Sequence, residues 1–282
     1  MFLDPKMQVP VQDLLKGMIV QSGNDATMAL AEGVGGTAER FVQLMNEQAR
    51  VLGMKSTTYK NPDGLTQPGH TTTARDLGIL AQHLMRDFPE YISYYAVKKY
   101  RYPGTPAAND SNRNLLLFRD PTVDGLKTGH TADAGYCLVT SSKRNDMRLI
   151  SVILNTHSAQ ARADQTRTLL GWCFGSFEKN TPIAANAVVG TAKVSFGKAD
   201  TVAAGLGAPW LLTVPRGQQV QTAVELKPGL EAPVAKGAVV GKVVASSNGK
   251  PVGEAPLIAQ ADVERSGLLL LGWQHLLKLI GK

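Results

Sequence analysis

The sequence predicts an α/β protein of the α+β type, in which helices pack on an antiparallel sheet, with a second, small all-β domain and a C-terminal amphipathic helix. Apolar residues recur at helical spacing through much of residues 1–178. Short β-branched segments separated by glycine and proline dominate residues 179–260, and a leucine-rich stretch marks residues 261–282. These changes in sequence pattern predict three successive domains or segments.

The first predicted helix leads directly to Ser22. Its apolar residues follow the spacing of a helix with one buried face and are Val11, Leu14, Leu15, Met18 and Ile19. Ser22 and Gly23 interrupt this pattern. Asn24 or Asp25 is then expected to cap an alanine-rich helix over 26–31. Ser22 is therefore predicted to lie at a tight junction between two helices.

Cap and turn residues predict two further helices. Thr37 is the expected N-cap of one helix, which Gly53 ends. Thr73 is the expected N-cap of another, which ends near Pro89. Asn61-Pro62-Asp63-Gly64 lies between the two helices and has the composition of a turn. The first half of the chain is thus predicted to be rich in helices.

Strands are predicted in the second half of this first domain. Two β-branched segments predict strands over 136–141 and 149–154, and a helix is expected over 161–174. The motif Lys127-Thr128-Gly129 then falls at or beside a strand edge. Helices packed on an antiparallel sheet account for this pattern.

The second domain is predicted to be a small β sandwich. Its four expected strands cover 192–196, 211–215, 220–226 and 238–245. In the third of these, Val220, Thr222, Val224 and Leu226 alternate with more polar residues, which predicts a half-buried strand.

The C-terminal tail, residues 266–282, is predicted to bind a membrane surface. It is shorter than the roughly 20 residues that span a bilayer. Gln274, Lys278 and Lys282 recur every fourth residue and form a polar stripe on an otherwise apolar helix. This pattern favours a helix lying in the membrane interface with Trp273 among the head groups, over a terminal helix packed on the protein itself.

Composition excludes several classes of function. The chain is 43% hydrophobic and 19% charged, which is typical of a globular protein. Its net charge of +7 favours anionic surroundings, but aromatic residues make up only 6% and no zinc-finger spacing is present, so no nucleic-acid partner is expected. Cys137 and Cys173 form no metal-binding pattern, and neither a metal nor an organic cofactor is expected. Either a disulfide or two free thiols would suit these cysteines.

Two short motifs carry the predicted chemistry. Ser22-Gly23-Asn24 precedes Lys127-Thr128-Gly129 by about a hundred residues. Alone, the first is commonly a turn between helices and the second a solvated strand end. In this order and spacing they match two of the three elements of serine acyl-transferases that use S-x-x-K, S-x-N and K-T-G.

The chemistry of acyl transfer explains these residue types. The hydroxyl of Ser22 can pass a proton to a leaving amine. The side-chain amide of Asn24 can both accept a hydrogen bond from a substrate amide and donate one to it. The ammonium of Lys127 supplies positive charge near the developing oxyanion. Thr128 and His130 can bind a substrate carboxylate.

Four longer segments surround the motifs, in the order MFLDPKMQVPVQDLLKGMIVQSGNDA, NPDGLTQPGHTTTARDL, VDGLKTGHTADAGYCL and ARADQTRTLLGWCF. Together they resemble low-molecular-mass penicillin-binding D-alanyl-D-alanine carboxypeptidases, with matching order and spacing from residue 1 to about 178. The resemblance implies a partial penicillin-binding/β-lactamase-like transpeptidase domain. It extends more weakly to the β domain and the amphipathic anchor.

The resemblance also implies roles for individual residues. Ser22-Gly23-Asn24 corresponds to the family's second motif and Lys127-Thr128-Gly129 to its third, so both are expected to be catalytic or substrate-binding. His130 follows the third motif as in many relatives. Arg162 is similar to the arginine that helps to bind the terminal carboxylate of the substrate. His157, in the preceding loop, has a weaker claim.

The family's nucleophile has no counterpart in the chain. In the family, the S-x-x-K serine and lysine lie several tens of residues before the second motif, whereas 21 residues precede Ser22 here. The S-x-x-K sequences of this chain, beginning at Ser176, Ser195 and Ser247, all follow the third motif. Loss of such a nucleophile lowers kcat by about 10⁶-fold, so this chain is expected to form no acyl-enzyme. The DNA upstream of Met1 would test whether the full-length protein has the missing segment.

The resemblance implies a serine-type D-alanyl-D-alanine carboxypeptidase that trims the terminal D-alanine from peptidoglycan pentapeptides through an acyl-enzyme and is inhibited by β-lactams. The expected location is the periplasmic face of the bacterial inner membrane, reached by a signal peptide lost with the N-terminus. One alternative is a non-catalytic, membrane-associated peptidoglycan-binding or scaffold protein. A β-lactamase is a less favoured alternative.

Overall fold

The computed structural model describes residues 1–267. In it, one helix precedes Ser22 and two helices follow it. They are α1 (Val11–Val20), α2 (Asn24–Gly35) and α3 (Ala38–Val51). The face of α1 predicted from the apolar spacing is the buried one, with Leu14 and Ile19 inside. The predicted first helix and the helix junction at Ser22 are confirmed.

The predicted cap of α2 is wrong. Gly23 occupies the N-cap position, no side chain caps the helix, and Asn24 is already its first residue. Ser22 has a left-handed φ of 52°, which turns the chain so that the helix starts one residue earlier than a capping Asn24 would allow. The carboxylate of Asp25 instead accepts hydrogen bonds from the backbone N–H of Leu3 at 2.8 Å and from the amino group of Met1 at 3.0 Å.

The predicted caps of the next two helices are confirmed. The hydroxyls of Thr37 and Thr73 each accept the backbone N–H three residues further on, at 3.1 Å, at the start of α3 and of α4 (Ala74–Asp87). The turn before α4 is confirmed as well, since Asn61 accepts the N–H of Gly64 at 2.8 Å. Short elements follow: 3-10 turns at Pro89–Tyr91 and Ala107–Asn109, and helices α5 (Ile92–Tyr95) and α6 (Leu116–Arg119).

A three-stranded antiparallel sheet supports the K-T-G motif. Its strands are β1 (Val123–Thr131), β2 (Gly135–Arg144) and β3 (Met147–Thr156), in that order, followed by α7 (Ala159–Ser176). One face of the sheet packs on α6 and α7 through a core of Leu116, Leu117, Val123, Leu138, Ala163, Leu170 and Phe174. The predicted strands and helix are confirmed, and the motif lies within β1 at the edge of the described sheet.

The chain divides into two compact units, Met1–Phe174 and Gly175–Lys282. After the last two residues of α7, the described part of the second unit is all-β, as predicted. Strands β4 (Phe177–Ile183) and β7 (Trp210–Pro215) form a pair. The other strands form a six-stranded sheet in the order β8-β10-β11-β6-β5-β9: β5 (Val188–Ser195), β6 (Thr201–Gly205), β8 (Gln221–Leu226), β9 (Leu230–Glu231), β10 (Val239–Ser247) and β11 (Lys250–Ala259).

The predicted half-burial of the strand over 220–226 is wrong. Residues 221–225 of β8 are all exposed, including Val224 at 39%. Within residues 1–267, β8 is the outermost strand of its sheet and pairs only with β10. The alternating side chains of this edge strand therefore gain little cover on either face.

The two cysteines are free in the structure. Cys137 lies on β2 and Cys173 on α7, and both are half-buried. Burial raises the pKa of the Cys173 thiol. Of the two alternatives that the sequence allows, the structure therefore has the free thiols.

The predicted anchor helix lies almost wholly outside the described residues, since residues 268–282 are beyond them. Within residues 1–267, no helix is both long enough and apolar enough to cross a bilayer.

Candidate active site

Ser22 is held by the backbone around it. The N–H groups of Gln21 and Gly23 both donate to the carbonyl of Gly17, at 3.2 and 3.1 Å. The side chain of Gln21 donates to the carbonyl of Tyr100 at 2.9 Å and anchors the junction to a distant segment. A left-handed φ at a non-glycine residue is uncommon and persists where the surrounding structure enforces it. The position of the Ser22 hydroxyl is thus built into the fold.

The structure brings the two predicted motifs together. The ammonium of Lys127 donates a very short hydrogen bond to the hydroxyl of Ser22, 105 residues away in the sequence. It also donates to the carbonyl of Thr128 at 2.8 Å. Ser22 is half-buried between the helices and Lys127 is half-buried on β1, so this contact joins the helical layer to the edge of the sheet.

The surroundings of Lys127 disfavour its charge. Burial lowers its pKa, and the positive charges of Arg113 and Arg162 lower it further, to about 8. At pH 7 the ammonium is therefore still mostly protonated. It loses its proton near pH 8, which is well below the pH at which an ordinary lysine does so. A perturbed lysine in a cleft is typical of a functional site.

Sequence reasoning missed Arg113. This exposed residue lines the same cleft and lies between two buried asparagines, of which Asn114 donates to the carbonyl of Gly125 at 3.2 Å. Asn112 accepts the N–H of Asn114 at 3.0 Å. The sequence signal that could have identified Arg113 is the pattern Asn-Arg-Asn, because asparagines often fix the conformation of a loop.

The guanidinium of Arg162 is bonded to backbone carbonyls. It is 4% exposed and donates to the carbonyls of Arg113 at 2.9 Å, Cys137 at 3.2 Å and Gly129 at 3.5 Å. These bonds connect α7 to β1, to β2 and to the loop that carries Arg113. The structure thus gives Arg162 a positioning role, and its binding of a substrate carboxylate stays a prediction.

The other predicted site residues line one cleft of about 1050 Å³ with Ser22 and Lys127. Thr128 is buried, whereas Gly129, His130 and Asn24 are exposed. The His130 ring packs against Tyr136, with 3.9 Å between the ring centroids. His157 is exposed and does not line this cleft.

A loop that the sequence did not assign to the site forms another wall of the cleft. Residues 61–65 and His70 line it. Asn46 of α3 holds the start of this loop through two hydrogen bonds of 2.9 Å with the backbone of Tyr59, whose ring packs edge-on against His70. These turn and aromatic residues carry no motif of their own, so only the packing reveals their place.

None of the S-x-x-K serines lines this cleft. Ser176 ends α7, while Ser195 and Ser247 lie on β5 and β10, and all three belong to the second compact unit. Ser247 is buried and donates to the side chain of Gln218 at 2.8 Å. That these three sequences do not supply the nucleophile stays a prediction.

A serine hydroxyl and a lysine of a K-T-G edge strand, facing each other across a cleft between helices and an antiparallel sheet, define the class of serine acyl-transferases. Residues 1–158 match the family profile of peptidase S11, described as D-alanyl-D-alanine carboxypeptidase. Residues 177–265 match the C-terminal domain of penicillin-binding protein 5. The chain belongs to the D-alanyl-D-alanine carboxypeptidase family.

Curated relatives are similar over nearly the whole chain. D-alanyl-D-alanine carboxypeptidase DacC of Escherichia coli is 42% identical over 281 residues, which are 98% of this chain and 70% of the relative. DacF of Bacillus subtilis is 32% identical over 95% of this chain and 70% of the relative. The names of these relatives indicate D-alanyl-D-alanine carboxypeptidase activity, and a cell-wall role implies a periplasmic or extracellular location.

Solved structures agree with this assignment. Penicillin-binding protein 5 of Haemophilus influenzae has a TM-score of 0.82 and 39% identity, over 94% of this chain and 78% of that chain. Penicillin-binding protein D2 of Listeria monocytogenes, solved in a cefotaxime-bound form, has a TM-score of 0.52 and 31% identity, over 61% of this chain and 73% of that chain. The fold is the penicillin-binding/β-lactamase-like domain followed by an all-β domain. The scaffold and β-lactamase alternatives gain no support from these comparisons.

Proposed function

We propose that the cleft of this chain binds peptidoglycan stem peptides ending in D-alanyl-D-alanine, as the substrate-binding part of a serine carboxypeptidase site. The contact between Lys127 and Ser22 carries this proposal. It places a cation and a hydroxyl together beside an edge strand, where an extended peptide can add as a further strand.

The charges of the cleft suit the free carboxylate of the substrate. Lys127 and Arg113 supply positive charge, and the hydroxyl of Thr128 can donate a hydrogen bond. The backbone of β1 can pair with the peptide, while Asn24 can hold a substrate amide with its side-chain oxygen and nitrogen. This arrangement would orient the last peptide bond across Ser22.

The covalent step requires a nucleophilic serine. Its oxygen would attack the carbonyl carbon of the penultimate D-alanine, and the bond to the terminal D-alanine would break as that amine takes a proton. Ser22 is placed to pass this proton, with Lys127 stabilising the negative charge that develops on oxygen. Because no S-x-x-K serine of this chain lines the cleft, we expect the chain to bind substrate without acylation.

A pair of measurements on the 282-residue chain tests this proposal. Calorimetry should detect binding of a peptide ending in D-alanyl-D-alanine, and amidation of its terminal carboxylate should remove that binding. Incubation with a fluorescent penicillin followed by denaturing electrophoresis should give no labelled band. Equal binding of the acid and the amide would contradict the substrate assignment, and a labelled band would show that the chain has a working nucleophile.

Arg113→Ala should weaken peptide binding and raise the pKa of Lys127 toward the usual value of a lysine. Loss of one exposed charge contact predicts a threefold to tenfold weaker affinity, about 1 kcal/mol. Because the charge of Arg113 lowers the pKa of Lys127, the pH at which peptide binding is half lost should move upward from about 8. Dissociation constants measured from pH 6 to pH 10 test both effects, with exposed Arg119→Ala as the control.

The proposed partners extend beyond the stem peptide. We infer that β-lactams compete with the peptide for the same cleft without acylating this chain, and that residues 266–282 attach the protein to the inner-membrane surface from the periplasm. The supporting features are the K-T-G strand and the apolar tail with its polar stripe. Binding of the chain to anionic lipid vesicles, compared with a variant that ends at residue 265, tests the attachment.

A further inference from the structure

Two buried asparagine side chains hold the backbone around Arg113. Asn112 and Asn114 are 5% and 0% exposed, and a buried amide group is costly unless it is hydrogen-bonded. The side chain of Asn114 donates to the carbonyl of Gly125 at 3.2 Å and accepts the N–H of Leu116 at 3.1 Å. The side chain of Asn112 accepts the N–H of Asn114 at 3.0 Å. Both side chains therefore serve to fix this segment.

Further bonds tie the same segment to the elements around it. The side chain of Asn112 donates to the carbonyl of Val97 at 3.1 Å, and its backbone N–H donates to the carbonyl of Lys98 at 2.8 Å. The carbonyl of Arg113 accepts a hydrogen bond from the guanidinium of Arg162, on α7, at 2.9 Å. The backbone of Arg113 is therefore held from the segment after α5, from β1 and from α7.

The side chain of Arg113, in contrast, has no such support of its own. Among residues 1–267, its guanidinium forms no hydrogen bond and no ion pair with the protein. Its charge still acts on Lys127, whose pKa it helps to lower. Because an unrestrained arginine side chain has many rotamers, the region from which this charge acts is set by the position of the backbone.

Asn114 links the backbone of Arg113 to the strand that carries Lys127. It directly follows Arg113 in the sequence, and its bond to Gly125 reaches β1 two residues before Lys127. The strand is closely packed at that point, since a Cβ on Gly125 would lie 3.0 Å from the Cβ of Tyr95. The bond from Asn114 therefore sets the backbones of the two cationic residues at a fixed separation.

We propose that Asn114 is a positioning residue, which holds Arg113 beside Lys127 so that the two cations bind the terminal carboxylate of the substrate together. This inference rests on the proposed function, since it needs that carboxylate in the cleft. Asn114 does not itself line the cleft, and its side-chain oxygen and nitrogen are both bonded within the protein. Its effect on substrate binding must therefore pass through Arg113.

A double-mutant cycle on the 282-residue chain tests this role. The variants are Asn114→Ala, Arg113→Ala and the double substitution, and calorimetry at pH 7 measures binding of Nα,Nε-diacetyl-L-lysyl-D-alanyl-D-alanine. Asn114→Ala should weaken binding by about threefold to tenfold in the unaltered chain, but by less than about twofold in a chain that already carries Arg113→Ala. Thr37→Ala is the control, since loss of the N-cap of α3 lowers stability but should leave the affinity unchanged.

The pH dependence of binding is a second measurement, which a loss of stability alone would not change. Arg113 and Arg162 are the charged groups that lower the pKa of Lys127, and Ser22 contacts its ammonium from the helix junction. If Arg113 is released, Lys127 keeps its proton to a higher pH, so the pH at which binding is half lost should rise in Asn114→Ala. Thr37→Ala should not shift it.

The outcomes separate this inference from the proposed function. Equal losses of affinity on Asn114→Ala, with and without Arg113→Ala, would overturn the inference, and so would an unchanged affinity in the folded Asn114→Ala chain. If Asn114→Ala does not fold, Asn112→Ala, which releases the N–H of Asn114, takes its place in the cycle with the same expected result. If amidation of the terminal carboxylate leaves the affinity of the unaltered chain unchanged, the proposed function fails, and this inference fails with it.

Discussion

Lys127→Met is expected to weaken binding of D-alanyl-D-alanine peptides by about tenfold to a hundredfold and, at the same time, to raise the free energy of unfolding at pH 7. Binding falls because the cation for the substrate carboxylate is lost. Stability rises because the ammonium is buried beside Arg113 and Arg162, which disfavour its charge. A lowering of its pKa from 10.5 to about 8 corresponds to a cost of up to about 3 kcal/mol. Loss of the bonds to Ser22 and Thr128 offsets part of this gain.

The pH dependence distinguishes this explanation from a simple packing effect. Between pH 8 and pH 10.5 the unfolded chain binds more protons at Lys127 than the folded chain does, so the stability of the unaltered chain should rise with pH through this window. Below pH 8 the full cost of the buried charge is present in the unaltered chain. The stability gained by Lys127→Met should therefore be largest below pH 8 and should shrink as pH rises toward 10.5.

Denaturant unfolding at several pH values between 7 and 10.5, with peptide binding measured in parallel, tests this prediction. Lys55→Met is a suitable control, since Lys55 is exposed in the turn after α3. It should change neither binding nor the pH dependence. A Lys127→Met chain that is less stable than the unaltered chain at pH 7 would show that the contacts of the ammonium outweigh its burial.

Much of the fold could be predicted because local signals agreed with the tertiary structure. The hydroxyls of Thr37 and Thr73 cap helices as their sequence context indicates. The capping prediction for Asn24 failed because the left-handed conformation of Ser22 is set by contacts with Gly17 and with the segment at Tyr100. Such contacts join residues far apart in sequence, and local propensity does not describe them.

The candidate site could also be predicted only in part. The two motifs identified Ser22 and Lys127, because their residue types and order are specific to one chemistry. Arg113 and the loop at Asp63 were missed, because a surface arginine and a turn aspartate have ordinary structural roles in most sequences. Only the packing of α2, α3 and the sheet brings them to one cleft.

Arg162→Lys is expected to lower the free energy of unfolding of the first compact unit by about 2–4 kcal/mol, although the positive charge is kept. The guanidinium donates to three backbone carbonyls that belong to three different segments. A lysine ammonium has one nitrogen and cannot reach all three positions, so at least one buried carbonyl loses its partner. Arg167→Lys on the same helix should change stability by less than about 0.5 kcal/mol, since Arg167 is exposed.

The same variant distinguishes the two roles of Arg162. If the guanidinium positions β1, amide hydrogen exchange should accelerate in β1 and β2 around Gly129 and Cys137, and peptide affinity should fall together with this local protection. If it serves only to bind the substrate carboxylate, the retained charge of lysine should preserve protection in both strands while affinity falls. Because these three bonds all end on backbone carbonyls, we expect the first result, in which an arginine of α7 acts on substrate through the strand that carries Lys127.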